Sequence, residues 1–229
     1  MMPARLLPFV LSVIAGATDV TSILSLNGLF TAHITGNLVL LAARIGAGLP
    51  APVSFILAVP VFMLVVFIAG MIARAIERSG GSSLLPLLLL QLVALAAIFW
   101  LSVTRGPWTD PDAALAIIAG MCGVSAMATQ NALAQISLKN TPSTAAMTTN
   151  VTRLMLDIAS VLFGPDVERA KNRARDTLPV VIGFGVGCTL GAAFEATVGP
   201  WSLMLPTALA FFACVIAMGQ SRVVAEAGR

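Results

Sequence analysis

Leu29-Phe30-Thr31-Ala32-His33-Ile34-Thr35-Gly36-Asn37 is the stretch whose reading decides the fold. It carries the single histidine of the chain within a cluster of hydroxyl and amide groups, and long apolar runs lie on both sides of it. Unsatisfied polar groups are costly in an apolar medium, so either another part of the protein, or water and a ligand, must satisfy these. A second polar cluster, Thr144-Ala145-Ala146-Met147-Thr148-Thr149-Asn150, answers it downstream. Thr31, Ala32, Thr35 and Asn37 fall on Thr144, Ala145, Thr148 and Asn150 at an offset of 113 positions.

Composition identifies the medium. Of 229 residues, 58% are hydrophobic and 10% charged, against roughly 25% charged in a soluble domain. Mean hydropathy is +0.97. Several apolar runs approach or exceed the roughly 20 residues that a helix needs to cross a bilayer core. The chain therefore reads as an all-α polytopic membrane protein, a single transmembrane domain over 1–229. A transmembrane barrel would show alternation of apolar and polar residues instead of long apolar runs. The run after Arg5 continues to Leu29, too far for a signal peptide, and reads as the first span. A formal charge of +3, with the basic residues at segment ends, gives no case for nucleic acid. Cys122, Cys188 and Cys214 lie singly in apolar segments and are expected to pack. Neither a metal site nor a cofactor is expected.

In chain order, long apolar spans are expected at about 6–26, 53–76, 84–103, 112–136, 178–198 and 201–218. The 84–103 run, with Gln91 inside it, is the best candidate for a lipid-facing or structural span. Short segments headed by the polar clusters follow the first and the fourth of these spans. Residues 166–176 are the most charged stretch and read as a solvated face. The order is long, short and polar, long, long, and then the same again, in halves of about 6–103 and 112–219. Ala15, Ala17 and Thr18 precede Asp19 as Ala126, Ala128 and Thr129 precede Gln130. A period near 112 is natural for a transporter built from two halves.

Charge counting separates two topologies. With six full spans and both termini cytoplasmic, Arg5, Arg74, Arg78, Lys139, Arg153, Arg169, Lys171, Arg173, Arg175, Arg222 and Arg229 fall inside, and Arg44 and Arg105 outside. If both short segments also cross, giving eight spans, Arg74, Arg78 and Lys139 move out while Arg44 and Arg105 move in. The positive-inside rule prefers six. Each half then holds an odd number of spans, the repeat is inverted, and the polar clusters approach each other from opposite faces as re-entrant or broken helices. Eight spans, with a parallel repeat, is the alternative.

The Leu29–Asn37 phrase, following Gly16-Ala17-Thr18-Asp19, resembles the signature of the YoaK-like bacterial membrane proteins, filed as domain of unknown function 1275. Residues 128–132 and 148–153 are similar to that family's second-half pattern, so the resemblance covers nearly the whole chain. It implies a multi-pass protein of the bacterial inner membrane.

The polar residues form a candidate substrate-binding set. Asp19 is the costly member, since an aspartate at mid-membrane carries a penalty of roughly 2.5–3.5 kcal/mol and marks a site by default. Its expected partners are His33, Asn131 or Thr129, and Gln130 is its neutral counterpart. Thr31, His33, Thr35 and Asn37 are expected at the start of a half-helix, where free N–H groups and the helix dipole favour an anion or carboxylate. Thr144, Thr148 and Asn150 offer the opposing half, with Ser143 or Thr144 as cap. The alternative is that these groups only cap broken helices and bond each other. His33 is the side chain whose charge can change near neutral pH, a candidate proton carrier. Arg153 and Asp157, four apart on one helix, can pair. No hydrolase, zinc-protease or phosphate-loop motif is present, so an enzyme is not expected. The expectation is a secondary transporter of a small solute, one compatible with an anion and with proton coupling, acting in the lipid bilayer. The alternatives are a non-transporting structural or regulatory membrane protein and a channel-like homo-oligomer.

Overall fold

The computed structural model describes residues 5–139 and 141–227, with side chains through 219. The described chain is helical: α1 Leu6–Ser25, α2 Ile34–Gly46, α3 Val53–Arg78, α4 Leu84–Arg105, α5 Ala114–Ile136, α6 Met147–Phe163, α7 Val167–Val198 and α8 Met204–Ala227. Five stretches are long and apolar enough to cross a membrane: α1, α3, α4, α5 and the continuous Val167–Gly219. The last is divided by a 3-10 turn, Gly199–Leu203, whose Gly199 takes φ +55°, a left-handed value that favours glycine. The protein is thus an all-α, multi-span membrane protein. The charged stretch 166–176, expected as a solvated face, is mostly exposed and forms the first turns of α7.

The tightest helix pair is α1 with α7, and the sequence shows why. A Cβ on Gly187 would lie 2.2 Å from the Val13 carbonyl oxygen, one on Gly183 2.9 Å from that of Phe9, and one on Gly16 2.3 Å from that of Phe184. Glycines one turn apart strip α7 of side chains on this face, so the backbones meet directly, the usual device for packing helices in lipid. Contact positions rise together along both helices, so α1 and α7 run parallel. Helices α3 and α5 are also parallel, since Val53 N–H donates to Asp112 at one end while Arg74 and Ile136 line one cleft near the other.

Other pairs are antiparallel. Leu11 and Ser22 of α1 face Gln130 and Gly123 of α5. Gln91 of α4 bonds Gln130 of α5, and Ser83 bonds Ser137 nearer the end. Thr207 of α8 donates to the Leu95 carbonyl of α4. Gln91, on the span expected to be lipid-facing or structural, is fully buried, and its amide donates to Gln130 Oε1 at 2.7 Å.

Helices α2 and α6 do not continue the up-and-down course. The chain leaves α1, folds back until Thr31 reaches Asp19, and only then starts α2, which returns to the end it came from. There Arg44 bonds the Pro50 carbonyl and lies over the Phe55 ring. The same happens after α5. Thr144 folds back to Gln130, and α6 returns alongside the first turns of α7, where Asp157 meets Arg173. Arg5, Arg78, Lys139, Arg173 and Arg175 gather at the bundle end where α1, α4 and α7 begin, whereas Arg44 and Arg105 lie at the other.

Candidate functional site

A break in a helix exposes N–H groups that need acceptors. At the turn before α2 the acceptor is Asp19, which is 3% exposed within α1. Its Oδ1 accepts the N–H groups of Thr31 at 2.7 Å and Ala32 at 2.8 Å, and the Thr31 hydroxyl at 3.3 Å. Its Oδ2 meets His33 Nδ1 at 2.7 Å. The negative charge at the start of this half-helix, expected from a ligand, is supplied here by the protein. His33 is partly exposed and stands edge-on between Phe184 of α7 and Phe30, with ring centroids 5.4 Å and 6.2 Å away.

Each residue of the His-x-Thr-Gly-Asn phrase now has a physical role except one. Asn37 is fully buried and clamps Phe30, accepting its N–H at 2.9 Å and donating to its carbonyl at 2.7 Å. Gly36 leaves room for the Phe30 ring, since a Cβ there would lie 3.0 Å from it. Thr35 is exposed and makes no described side-chain bond.

The second turn repeats one of the clamp's two bonds. Asn150 is 1% exposed and donates to the Ser143 carbonyl, 113 positions on from the Asn37–Phe30 bond. His33 and Ala146, which precede the two helices, have nearly the same backbone angles, φ −95°, ψ 63° and φ −87°, ψ 70°. Gln130 stands where Asp19 does, donating to Thr144 Oγ1 at 3.0 Å and to the Leu11 carbonyl at 2.8 Å. Thr144 is fully buried and Thr148 exposed, as Thr31 and Thr35 are. Neither Ser143 nor Thr144 caps α6, whose cap position is Ala146 with no side-chain bond; the Ser143 hydroxyl accepts the Ala146 N–H at 3.1 Å within the preceding turn instead.

Two partnerships differ from expectation. Asn131 and Thr129 do not reach Asp19. They bond the Met127 and Ser125 carbonyls of their own helix, because both can satisfy themselves one turn back. Arg153 does not pair with Asp157, which takes Arg173 of α7 instead, and the exposed Arg153 lines a groove with Lys139. The carboxylate faces α7, so the interhelical cation wins over the one on its own helix.

The two turns meet through carbon. Ala32 and Ala145 share one small buried cluster with Ala15 and Met127, and Phe184 packs against it. On the same helix as Asp19, however, Thr18, Thr21 and Ser22 bury hydroxyls that have no hydrogen-bond partner among the described residues. Such orphaned groups are rare in folded proteins and mark places where water or a ligand belongs. No metal-ligating cluster of three or more His, Cys, Asp or Glu occurs among the described residues.

Residues 7–216 match the family model described as "Protein of unknown function (DUF1275)". The chain belongs to this family. The match takes in both turns, their buried partners and all the membrane-crossing stretches, so family membership extends over the whole arrangement. No match was found among curated proteins or among solved structures.

Sequence reasoning missed three participants. Gln91 was hidden by its apolar run, Phe184 by an apolar helix, and Arg173 by a charged stretch that looked solvated. The orphaned Thr18, Thr21 and Ser22 could have been suspected from their spacing around Asp19.

Proposed function

We propose that the protein is a secondary transporter of a small solute in the bacterial inner membrane, with Asp19 and His33 as its proton-responsive element. The observation that carries this reading is a buried carboxylate at a broken helix, tied to a partly exposed histidine, on a helix that also buries three hydroxyls without partners among the described residues. An ionisable group at such depth is a functional hypothesis by default. A histidine bonded through Nδ1 keeps Nε2 for a proton or solute.

The architecture in this reading is six spans and two re-entrant hairpins, in halves related by an inverted repeat. The antiparallel course of α1 and α5 supports it, as does the exchange of partners, α1 with α7 and α5 with α3. The recurring Asn37 and Asn150 clamps support it at the level of single bonds. The charge asymmetry of the bundle ends favours both termini in the cytoplasm. Thr31, His33, Thr35 and Asn37 with Gln130, Thr144, Thr148 and Asn150 then border the space that opens when the alanine contact between the turns parts. Alternating access between two such halves is the general transporter scheme.

A second reading, a structural or regulatory membrane protein without transport, is favoured by that same alanine contact. Most polar groups of each turn are satisfied within their own half.

The decisive test is a stabilisation screen of the purified protein against nucleobases, small carboxylates, inorganic anions and amino acids, followed by uptake of each hit into proteoliposomes under a pH gradient. A ligand raises apparent stability by mass action. Gradient-driven uptake that Asp19→Asn abolishes supports the transporter. Binding or flux in none of the classes leaves the structural reading.

A further inference from the structure

A groove of about 420 Å³ opens at the basic end of the bundle, between α6, the first turns of α7 and the connection before α6. It contains neither Asp19 nor His33 and is a separate place in the fold. Its charges do not cancel. Asp157, buried to 5% exposure, accepts Arg173 Nε at 2.8 Å and Nη2 at 2.5 Å. Asp176 accepts Arg5 Nε at 2.8 Å. With both carboxylates taken, Lys139 and Arg153 line the groove without a partner among the described residues, an excess of two positive charges.

The neutral donors of the wall are already spent. Thr141, Ser160 and Thr177 donate their hydroxyls to the carbonyls of Leu138, Leu156 and Arg173. What remains to meet a ligand is cationic N–H, which selects an anion over a neutral polar molecule. Guanidinium and ammonium groups converging from three segments suit an oxyanion with several acceptor oxygens. A phosphate monoester, with a charge of about −1.5 to −2 near neutral pH, matches the excess.

We propose that this groove binds a phosphate-bearing anion, with Lys139, Arg153 and Arg173 around the phosphate and the Asp157–Arg173 pair fixing the third cation. The phosphate comes either from a soluble ester or from the headgroup of an anionic lipid, because basic pockets between membrane helices at an interface take such headgroups. Leu156 lines the groove and is 63% exposed, giving an apolar side along which an acyl chain can leave.

The test uses the full chain in neutral detergent and in two arms. In the first, thermal stability is titrated with inorganic phosphate against chloride at matched ionic strength. In the second, native mass spectrometry counts retained phosphatidylglycerol against phosphatidylcholine. The wild type is expected to be stabilised by phosphate, to retain phosphatidylglycerol selectively, or both, and the arm that responds names the source. Lys139→Gln and Arg153→Gln are each expected to weaken the response about tenfold, the loss of one charge-assisted contact. Both residues are exposed, and a monodisperse elution profile checks that the variants fold. Arg44→Gln, at the opposite end, is expected to retain it. No preference for phosphate or phosphatidylglycerol in the wild type overturns the proposal, as does an undiminished response in the Lys139→Gln, Arg153→Gln double variant. Either failure leaves the Asp19–His33 reading intact, because no residue is shared.

Discussion

Asp19 and Thr31 are joined twice, Asp19 Oδ1 accepting both the backbone N–H of Thr31 at 2.7 Å and its hydroxyl at 3.3 Å. A carboxylate within one helix thereby holds the start of another. Asp19→Ala leaves the N–H groups of Thr31 and Ala32 buried without acceptors, at a cost of about 1–3 kcal/mol each. Asp19→Asn keeps one oxygen in place and should cost less while removing the charge. Thermal unfolding of the detergent-purified variants measures both. An Asp19→Ala protein as stable as the wild type would mean that the carboxylate does not cap this turn.

Asn37 meets both the N–H and the carbonyl of Phe30. Asn37→Asp can still accept but no longer donates, so it strands the Phe30 carbonyl and buries a charge. A loss of about 1–3 kcal/mol is expected, more than for Asn37→Asp's exposed neighbour Thr35→Ala. The corresponding Asn150→Asp change should be destabilising in the same sense, since its amide serves the Ser143 carbonyl. Equal stabilities of Asn37→Asp and Thr35→Ala would refute the clamp.

Gly187 lets α7 approach α1 so closely that a Cβ would stand 2.2 Å from the Val13 carbonyl oxygen. Gly187→Ala must push the helices apart, and a loss of about 1–3 kcal/mol or failure to accumulate is expected. Gly70→Ala on α3, where a Cβ meets open space, serves as the control and should fold normally. Folded yield by size-exclusion profile separates the two outcomes.

Gln91 and Gln130 bond across α4 and α5 at 2.7 Å. A double-mutant cycle with Gln91→Leu and Gln130→Leu isolates this bond from the others that Gln130 makes. A coupling of about 0.5–1.5 kcal/mol is expected, the range for interhelical bonds in membranes. Strict additivity of the two losses would show that the bond contributes nothing.

Gly48 and Ser79 lie at opposite ends of the bundle, in the turns before and after α3. In a background cleared of Cys122, Cys188 and Cys214, a cysteine at 48 should react with an impermeant thiol reagent in intact cells, and one at 79 only after the membrane is opened. The reverse pattern would overturn the reading with both termini in the cytoplasm.

Much of this arrangement is legible in residues taken one at a time. The long apolar runs 53–78 and 84–105 became helices of nearly the expected bounds, because in lipid a backbone has few other ways to satisfy itself. The paired clusters were legible for the same reason. Thr31 and Asn37 are polar groups that an apolar chain does not carry without partners, and their echo at Thr144 and Asn150 predicted a second turn of the same construction. What was not legible is which partner each group takes. Of the three partners expected for Asp19, the structure selects His33 over Asn131 and Thr129, and it gives Asp157 to Arg173 although Arg153 has the right chemistry.

The sequence by itself determined a multi-span helical protein of this family, with polar turns at Thr31–Asn37 and Thr144–Asn150, because hydrophobic period and composition act locally along the chain. Only the tertiary structure decided that Asp19 itself supplies the negative charge at the first turn, that the two turns meet through Ala32 and Ala145, and that Lys139 and Arg153 are left over as a basic groove. Hydrogen bonds and ion pairs reach only about 3 Å. Which of several chemically adequate partners stands within that reach is set by how helices pack, and for α1 and α7 by glycines that act through the side chain they lack.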